Sequence, residues 1–81
     1  MSSSVLERIE RIVRDALADD SVALSAHTTA ADVPGWDSLA HVNIMFMIEQ
    51  DMGVRFTDDE FAGFVNVGEL ERMIASKRSG A

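Results

Sequence analysis

Gly35-Trp36-Asp37-Ser38-Leu39-Ala40-His41-Val42-Asn43-Ile44-Met45-Phe46-Met47-Ile48-Glu49-Gln50-Asp51-Met52-Gly53 is the stretch that decides the fold of this 81-residue chain. Pro34-Gly35 closes a turn, and Ser38 is a helix-cap residue type. From Ser38 to Met52 there is neither glycine nor proline. Leu39, Val42, Ile44, Met45, Phe46, Met47, Ile48 and Met52 recur at helical spacing, which predicts a helix over 38–52 that Gly53 stops. Its apolar stripe is wider than one core face requires.

Upstream, Val5, Ile9, Ile12, Val13, Ala16 and Leu17 predict an amphipathic helix over about 4–18. Ser4 with Glu7 reads as a capping box. Glu7–Arg11 and Glu10–Arg14 read as i,i+4 pairs on an exposed face. Residues 19–37 hold turn chemistry: Asp19-Asp20-Ser21, Thr28-Thr29, Asp32 and Pro34-Gly35. A connection this long is functional or packed by its own side chains, here Val22, Leu24 and Val33.

Downstream, Thr57 with Glu60 predicts a short helix over about 57–63. Asn66 with Glu69 opens a last helix over about 66–78, with Val67, Leu70, Met73 and Ile74 inward and Lys77 and Arg78 on its C-terminal dipole. Ser79-Gly80-Ala81 is expected to fray. The fold class is therefore all-α: a four-helix bundle of three longer helices and one short one, with a long first loop. Residues 1–81 are expected to form one domain, with 4–78 as the ordered core.

Composition excludes much. With no cysteine, disulfides and thiolate metal sites are out, and His27 and His41 are too few for zinc without thiolates. Asp58-Asp59-Glu60 lacks calcium-loop spacing and reads as the favoured first turn of a helix. No metal is expected. The longest apolar run, Ile44 to Ile48, is far short of a membrane span, so a soluble cytoplasmic protein is expected. Net charge is −7, and residues 15–71 hold twelve of the fourteen acids against one base, Arg55. Such a field repels nucleic acid and anionic lipid and suits basic protein partners.

Asp37-Ser38-Leu39 places a serine hydroxyl at a helix start, where unpaired backbone N–H groups and the macrodipole favour a phosphate. Ser38 also qualifies as an ordinary N-cap. A hydrolytic triad with His41 fits poorly: an aspartate adjacent to its serine is badly placed to orient the histidine, and no glycine-rich oxyanion loop is visible. Trp36 reads either as an anchor for the loop or as a partner-binding aromatic. Met45, Met47, Met52 and Met73 read as core filler or as the lining of an adaptable apolar cleft.

The Gly-Trp-Asp-Ser-Leu segment, opening the second helix of a small acidic helical chain, resembles the attachment motif of acyl carrier proteins, in the version found in free-standing carriers outside the housekeeping fatty-acid pathway. The likeness spans nearly the whole chain. It implies a carrier, not an enzyme: Ser38 receives 4'-phosphopantetheine from coenzyme A through a magnesium-dependent phosphopantetheinyl transferase. The arm then holds an acyl group as a thioester for acyl-loading and acyl-processing enzymes. Asp37 and Leu39 would flank the recognition site. Trp36, His41, Met45, Glu49, Asp58 and Asp59 would form the partner face of a monomer. Fatty-acid members carry acids early in the second helix, where this chain has Ala40, His41 and Asn43, so the resemblance points to a specialised biosynthetic pathway. The loop is one residue longer than usual through Pro34, and Ala30 or Ala31 stands where the family often has phenylalanine. An aminoacyl or peptidyl carrier, which often has Gly-Gly before the motif, and an unmodified helical interaction module are the alternatives.

Overall fold

A computed structural model describes residues 2–79 of the chain, as four α-helices and one short 3-10 turn: α1 (Ser2–Leu17), η1 (Ala30–Asp32), α2 (Ser38–Met52), α3 (Asp58–Ala62) and α4 (Val67–Ser79). There is no strand among the described residues. Helix α1 begins before Ser4, and the capping box read for Ser4 with Glu7 rests on a side chain outside the described residues. The fraying expected at Gly80 and Ala81 lies outside the described residues.

Helix α1 packs against α2 and α4. Ile9 and Val13 from α1, Ile44, Met45 and Ile48 from α2, and Val67, Leu70 and Ile74 from α4 are wholly buried. They form the centre of one core. Burying such a side chain contributes about 1.5–3 kcal/mol, so these eight residues are a large part of the favourable side of folding. The αL conformation of Gly53 (φ 67°) ends α2 and sends the chain toward buried Val54.

The long loop is packed by its own side chains: Val22, Leu24 and Val33 are all buried. Its backbone is clasped by α1, where Arg14 Nε donates to Val22 O (2.7 Å) and Glu10 accepts from Leu24 N (2.9 Å). Glu10 and Arg14 form their i,i+4 ion pair at 3.3 Å, yet the pair serves the loop and not a free surface. Glu7 and Arg11 form no ion pair among the described residues. On its far side the loop is tied to α4: Val67 N donates to Thr28 O (2.7 Å) and Gly68 N to Ala26 O (2.9 Å).

Carboxylates fix the remaining joints. Arg8 meets Asp51 at 2.9 Å, joining α1 to the end of α2. Glu49 accepts from Phe56 N at 2.9 Å. Glu60 closes the capping box with Thr57 and reaches Lys77 at 2.7 Å, holding α3 to α4. The Lys77 contact holds the Glu60 carboxyl below its ordinary 4.5. Ser21 lowers Asp19, and the Thr29 amide lowers Asp32, each below 3.8. A depressed carboxylate pKa gives stability that is complete above the unfolded value and lost as pH falls through the folded one. Thermal melts are therefore expected to be flat with pH above about 5 and to drop as these carboxyls protonate below about 4. A melting temperature that held constant down through that range would show that these contacts contribute nothing.

Candidate functional site

The site is built by the last residues of the loop. Pro34 and Gly35 occupy the middle of a turn closed by Trp36 N donating to Val33 O (3.1 Å). Gly35 has φ +91°, the left-handed value that the third position of a type II turn requires and that glycine supplies without strain. The turn buries Val33 and Trp36 on either side of itself and delivers Asp37 to the helix end.

Asp37, not Ser38, is the N-cap of α2: its carboxylate accepts from Ala40 N at 2.8 Å. Ser38 is the first helical residue, exposed, and its hydroxyl makes no hydrogen bond among the described residues. The structural role open to this serine is thus filled by its neighbour. The backbone N–H groups of Ser38 and Leu39 precede the first intrahelical bond and face solvent at the positive end of the helix dipole. Capping also predicts an effect. Asp37→Ala is expected to cost about 1 kcal/mol and Asp37→Asn only a few tenths, since asparagine caps as well as aspartate. Denaturant melts of the two variants check this; equal losses would show that capping is not what Asp37 does.

Two open troughs flank Ser38. One, of ≈ 570 Å³, runs between the end of α1 and α2, lined by Leu17, Pro34, Gly35, Leu39, Val42 and Phe46 among others. The other, of ≈ 640 Å³, lies toward α3, between Ala30, Ala31, Trp36, His41, Phe61 and Ala62. An exposed serine with no internal partner, unpaired N–H groups beside it and two grooves leading away from it fit an elongated phosphate ester with an apolar extension.

The residues expected to form a partner face do not share a surface. Met45 is completely buried and Trp36 is 8% exposed, so both belong to the core. A continuous apolar face on α2 hides Met45 from the sequence, because inward and outward methionines look alike. His41 is not a free surface residue. It is half-buried, its Nδ1 accepts from the Trp36 indole N–H (3.1 Å), and its Nε2 lies 2.8 Å from the Phe61 carbonyl. Glu49 is half-buried and occupied by Phe56 N. Asp58 and Asp59 are exposed and unpartnered among the described residues. The surface of α2 carries instead Leu39 (81% exposed), Val42 (52%) and Phe46 (54%). Their i, i+3, i+7 spacing was the available signal. The acyl-cleft reading of the methionines is also revised: Met45 and Met52 are core, and neither trough beside Ser38 is lined by a methionine.

The acidic surplus is distributed differently from the expectation of a docking field. Glu10, Asp19, Asp32, Asp37, Glu49, Asp51, Glu60 and Glu69 all accept hydrogen bonds within the fold. Glu7, Asp15, Asp20, Asp58, Asp59 and Glu71 accept no side-chain hydrogen bond and form no ion pair among the described residues. No group of three or more histidines and carboxylates is placed to hold a metal among the described residues.

Comparisons with known proteins agree on one family. A family model described as a phosphopantetheine attachment site matches residues 7–74. An acyl carrier protein of Sinorhizobium fredii is 32% identical over 72 residues, which cover 89% of this chain and 92% of that protein. The acyl carrier protein MbtL of Mycobacterium bovis is 35% identical over 75 residues, covering 93% and 89%. The solution structure of a holo acyl carrier protein from Geobacter metallireducens superposes with a TM-score of 0.85 at 32% identity, covering 94% of this chain and 87% of the other.

Proposed function

This chain belongs to the acyl carrier proteins, the phosphopantetheine-attachment family, and from that membership we propose that Ser38 is its point of attachment. Members of the family are carriers and not catalysts. The observation that supports Ser38 is the division of labour at the start of α2: Asp37 caps the helix and leaves the adjacent hydroxyl exposed and unbonded. When bound, the phosphopantetheine group supplies a terminal thiol that holds an acyl group as a thioester. The Ser38 oxygen forms the new bond to phosphorus as the bond to the departing nucleotide breaks, and the hydroxyl proton leaves to the transferase. The unpaired amides of Ser38 and Leu39 face the resulting phosphodiester charge. Asp37, exposed at its cap, and Leu39, the most exposed large apolar side chain described, flank the serine where a phosphopantetheinyl transferase must approach. The test is incubation with a broad-specificity transferase, magnesium and coenzyme A, followed by mass spectrometry of the intact chain and of the peptide holding residue 38. Absence of the pantetheine mass, or its presence on another residue, sinks the assignment.

The reading extends to a single-domain monomer of a specialised biosynthetic pathway, working in the cytoplasm. No helix among the described residues is long and apolar enough to cross a membrane. The pathway reading rests on the neutral start of α2. Ala40, His41 and Asn43 stand where fatty-acid members carry acids, and His41 is occupied by Trp36 and Phe61. Removing charge pairs from a docking face mainly slows association. The pantetheinylated chain is expected to be loaded about tenfold more slowly than a fatty-acid carrier by a housekeeping malonyl transferase. Ala40→Asp with Asn43→Glu should recover part of that rate. Loading of the unaltered chain as fast as a fatty-acid carrier would remove the ground for a specialised pathway.

A further inference from the structure

We infer that His41 is a latch that shuts the α3 side of the core to whatever Ser38 carries, so that cargo on that side stays in the open trough and the carrier suits short or polar acyl groups over long alkyl chains. The inference rests on attachment at Ser38 and goes beyond it. The indole N–H can only donate. His41 Nδ1 is therefore the acceptor of the 3.1 Å bond from Trp36, and Nε2 carries the ring proton and donates to Phe61 O at 2.8 Å. One side chain thus ties the buried loop anchor to the end of α3. That tie matters because α3 has five residues and buries none of them completely.

The rings behind the trough pack against one another. His41 lies 6.4 Å from Phe61 and 5.8 Å from Phe64, and Trp36 meets Phe64 edge-on at 5.6 Å. Trp36, His41 and Phe61 line the trough on one side, while Trp36, Phe61 and Phe64 pack against the core on the other. A chain tethered to Ser38 reaches the core on this side only by parting those rings and breaking both His41 hydrogen bonds. That leaves the Trp36 N–H without a partner in a nearly dry place, a cost the open trough does not impose. Long alkyl groups gain most from burial and lose most when it is denied; short or polar ones lose little.

The experiment loads acetyl and octanoyl pantetheine from the corresponding coenzyme A thioesters onto wild type, His41→Ala and Trp36→Phe, the last keeping an aromatic ring while deleting the indole donor. Loading is confirmed by mass on each sample. The readouts are the methyl NMR shifts of buried Ile44, Ile48 and Ile74, and the rate at which hydroxylamine cleaves the thioester. In wild type the acetyl and octanoyl forms are expected to have the same core shifts and the same cleavage rate. In at least one folded latch variant the octanoyl form should shift the core methyls and resist cleavage by about tenfold, the effect of burying about two methylenes. Core shifts or protection in octanoyl wild type overturn the inference while leaving the Ser38 reading intact. Variants as unprotected as wild type overturn the role of His41. A chain that gains no pantetheine mass overturns both readings.

Discussion

Ser38→Ala is expected to gain no pantetheine mass under conditions that convert the wild-type chain completely, and to fold with unchanged stability. Both halves follow from the same geometry. The alanine removes the only oxygen the motif offers for esterification. It removes no hydrogen bond among the described residues, because the helix end is held by the 2.8 Å bond from Ala40 N to Asp37. A surface substitution of this kind changes stability by no more than about 0.5 kcal/mol. Intact-mass spectrometry and a denaturant melt read the two effects separately. A modified alanine variant would place the attachment elsewhere. An unmodified but destabilised one, by about 1 kcal/mol or more, would mean that Ser38 caps the helix after all.

Gly68→Ala should be the most damaging single-methyl insertion tested in the bundle. A Cβ at Gly68 would stand 2.8 Å from the Ala26 carbonyl oxygen and 3.1 Å from the Ala26 Cβ. The first of these is backbone and cannot swing aside. The loop must retreat, straining the bonds from Gly68 N to Ala26 O and from Val67 N to Thr28 O. Overpacking of this kind costs about 1–3 kcal/mol, against a helix-propensity gain of up to about 1 kcal/mol for replacing glycine. In a chain of this length the net loss corresponds to about 5–10 °C in melting temperature. Gly63→Ala is the control, with nothing within 4 Å of the new methyl and φ 167°, an extended angle any residue adopts. A Gly68 variant as stable as that control would show that the loop is not seated on α4.

Much of this molecule is readable from residue order because its local signals agree. The limits of α2, the αL stop at Gly53, the Thr57–Glu60 box and the burial of Val22, Leu24 and Val33 follow from short-range chemistry. The misreadings arise where two adjacent residues compete or where contacts span the chain. Ser38 reads as an ordinary N-cap by residue type, but in the fold the carboxylate of its neighbour Asp37 accepts from Ala40 N. On α2, apolar residues surround the helix, and periodicity cannot say that Met45 points inward while Phe46 points out. His41 is polar and sits in the first turns of a surface-facing helix, yet its partner is a carbonyl twenty residues away. The carboxylates mislead in another way. Composition counts them as field, whereas Glu10, Glu49 and Glu60 act as hydrogen-bond acceptors that stitch the loop, α2 and α3 into place.

The one-residue offset between cap and hydroxyl also separates cargo from scaffold. A serine that capped its own helix would surrender an acceptor whenever it was esterified, and each load would disturb the frame that presents it. Here the anchoring contact belongs to Asp37 and the proposed linkage to Ser38, so a group attached at that oxygen would hang from a helix end whose hydrogen bonds it does not share. Loading at Ser38 would therefore leave intact the bond that holds the start of α2.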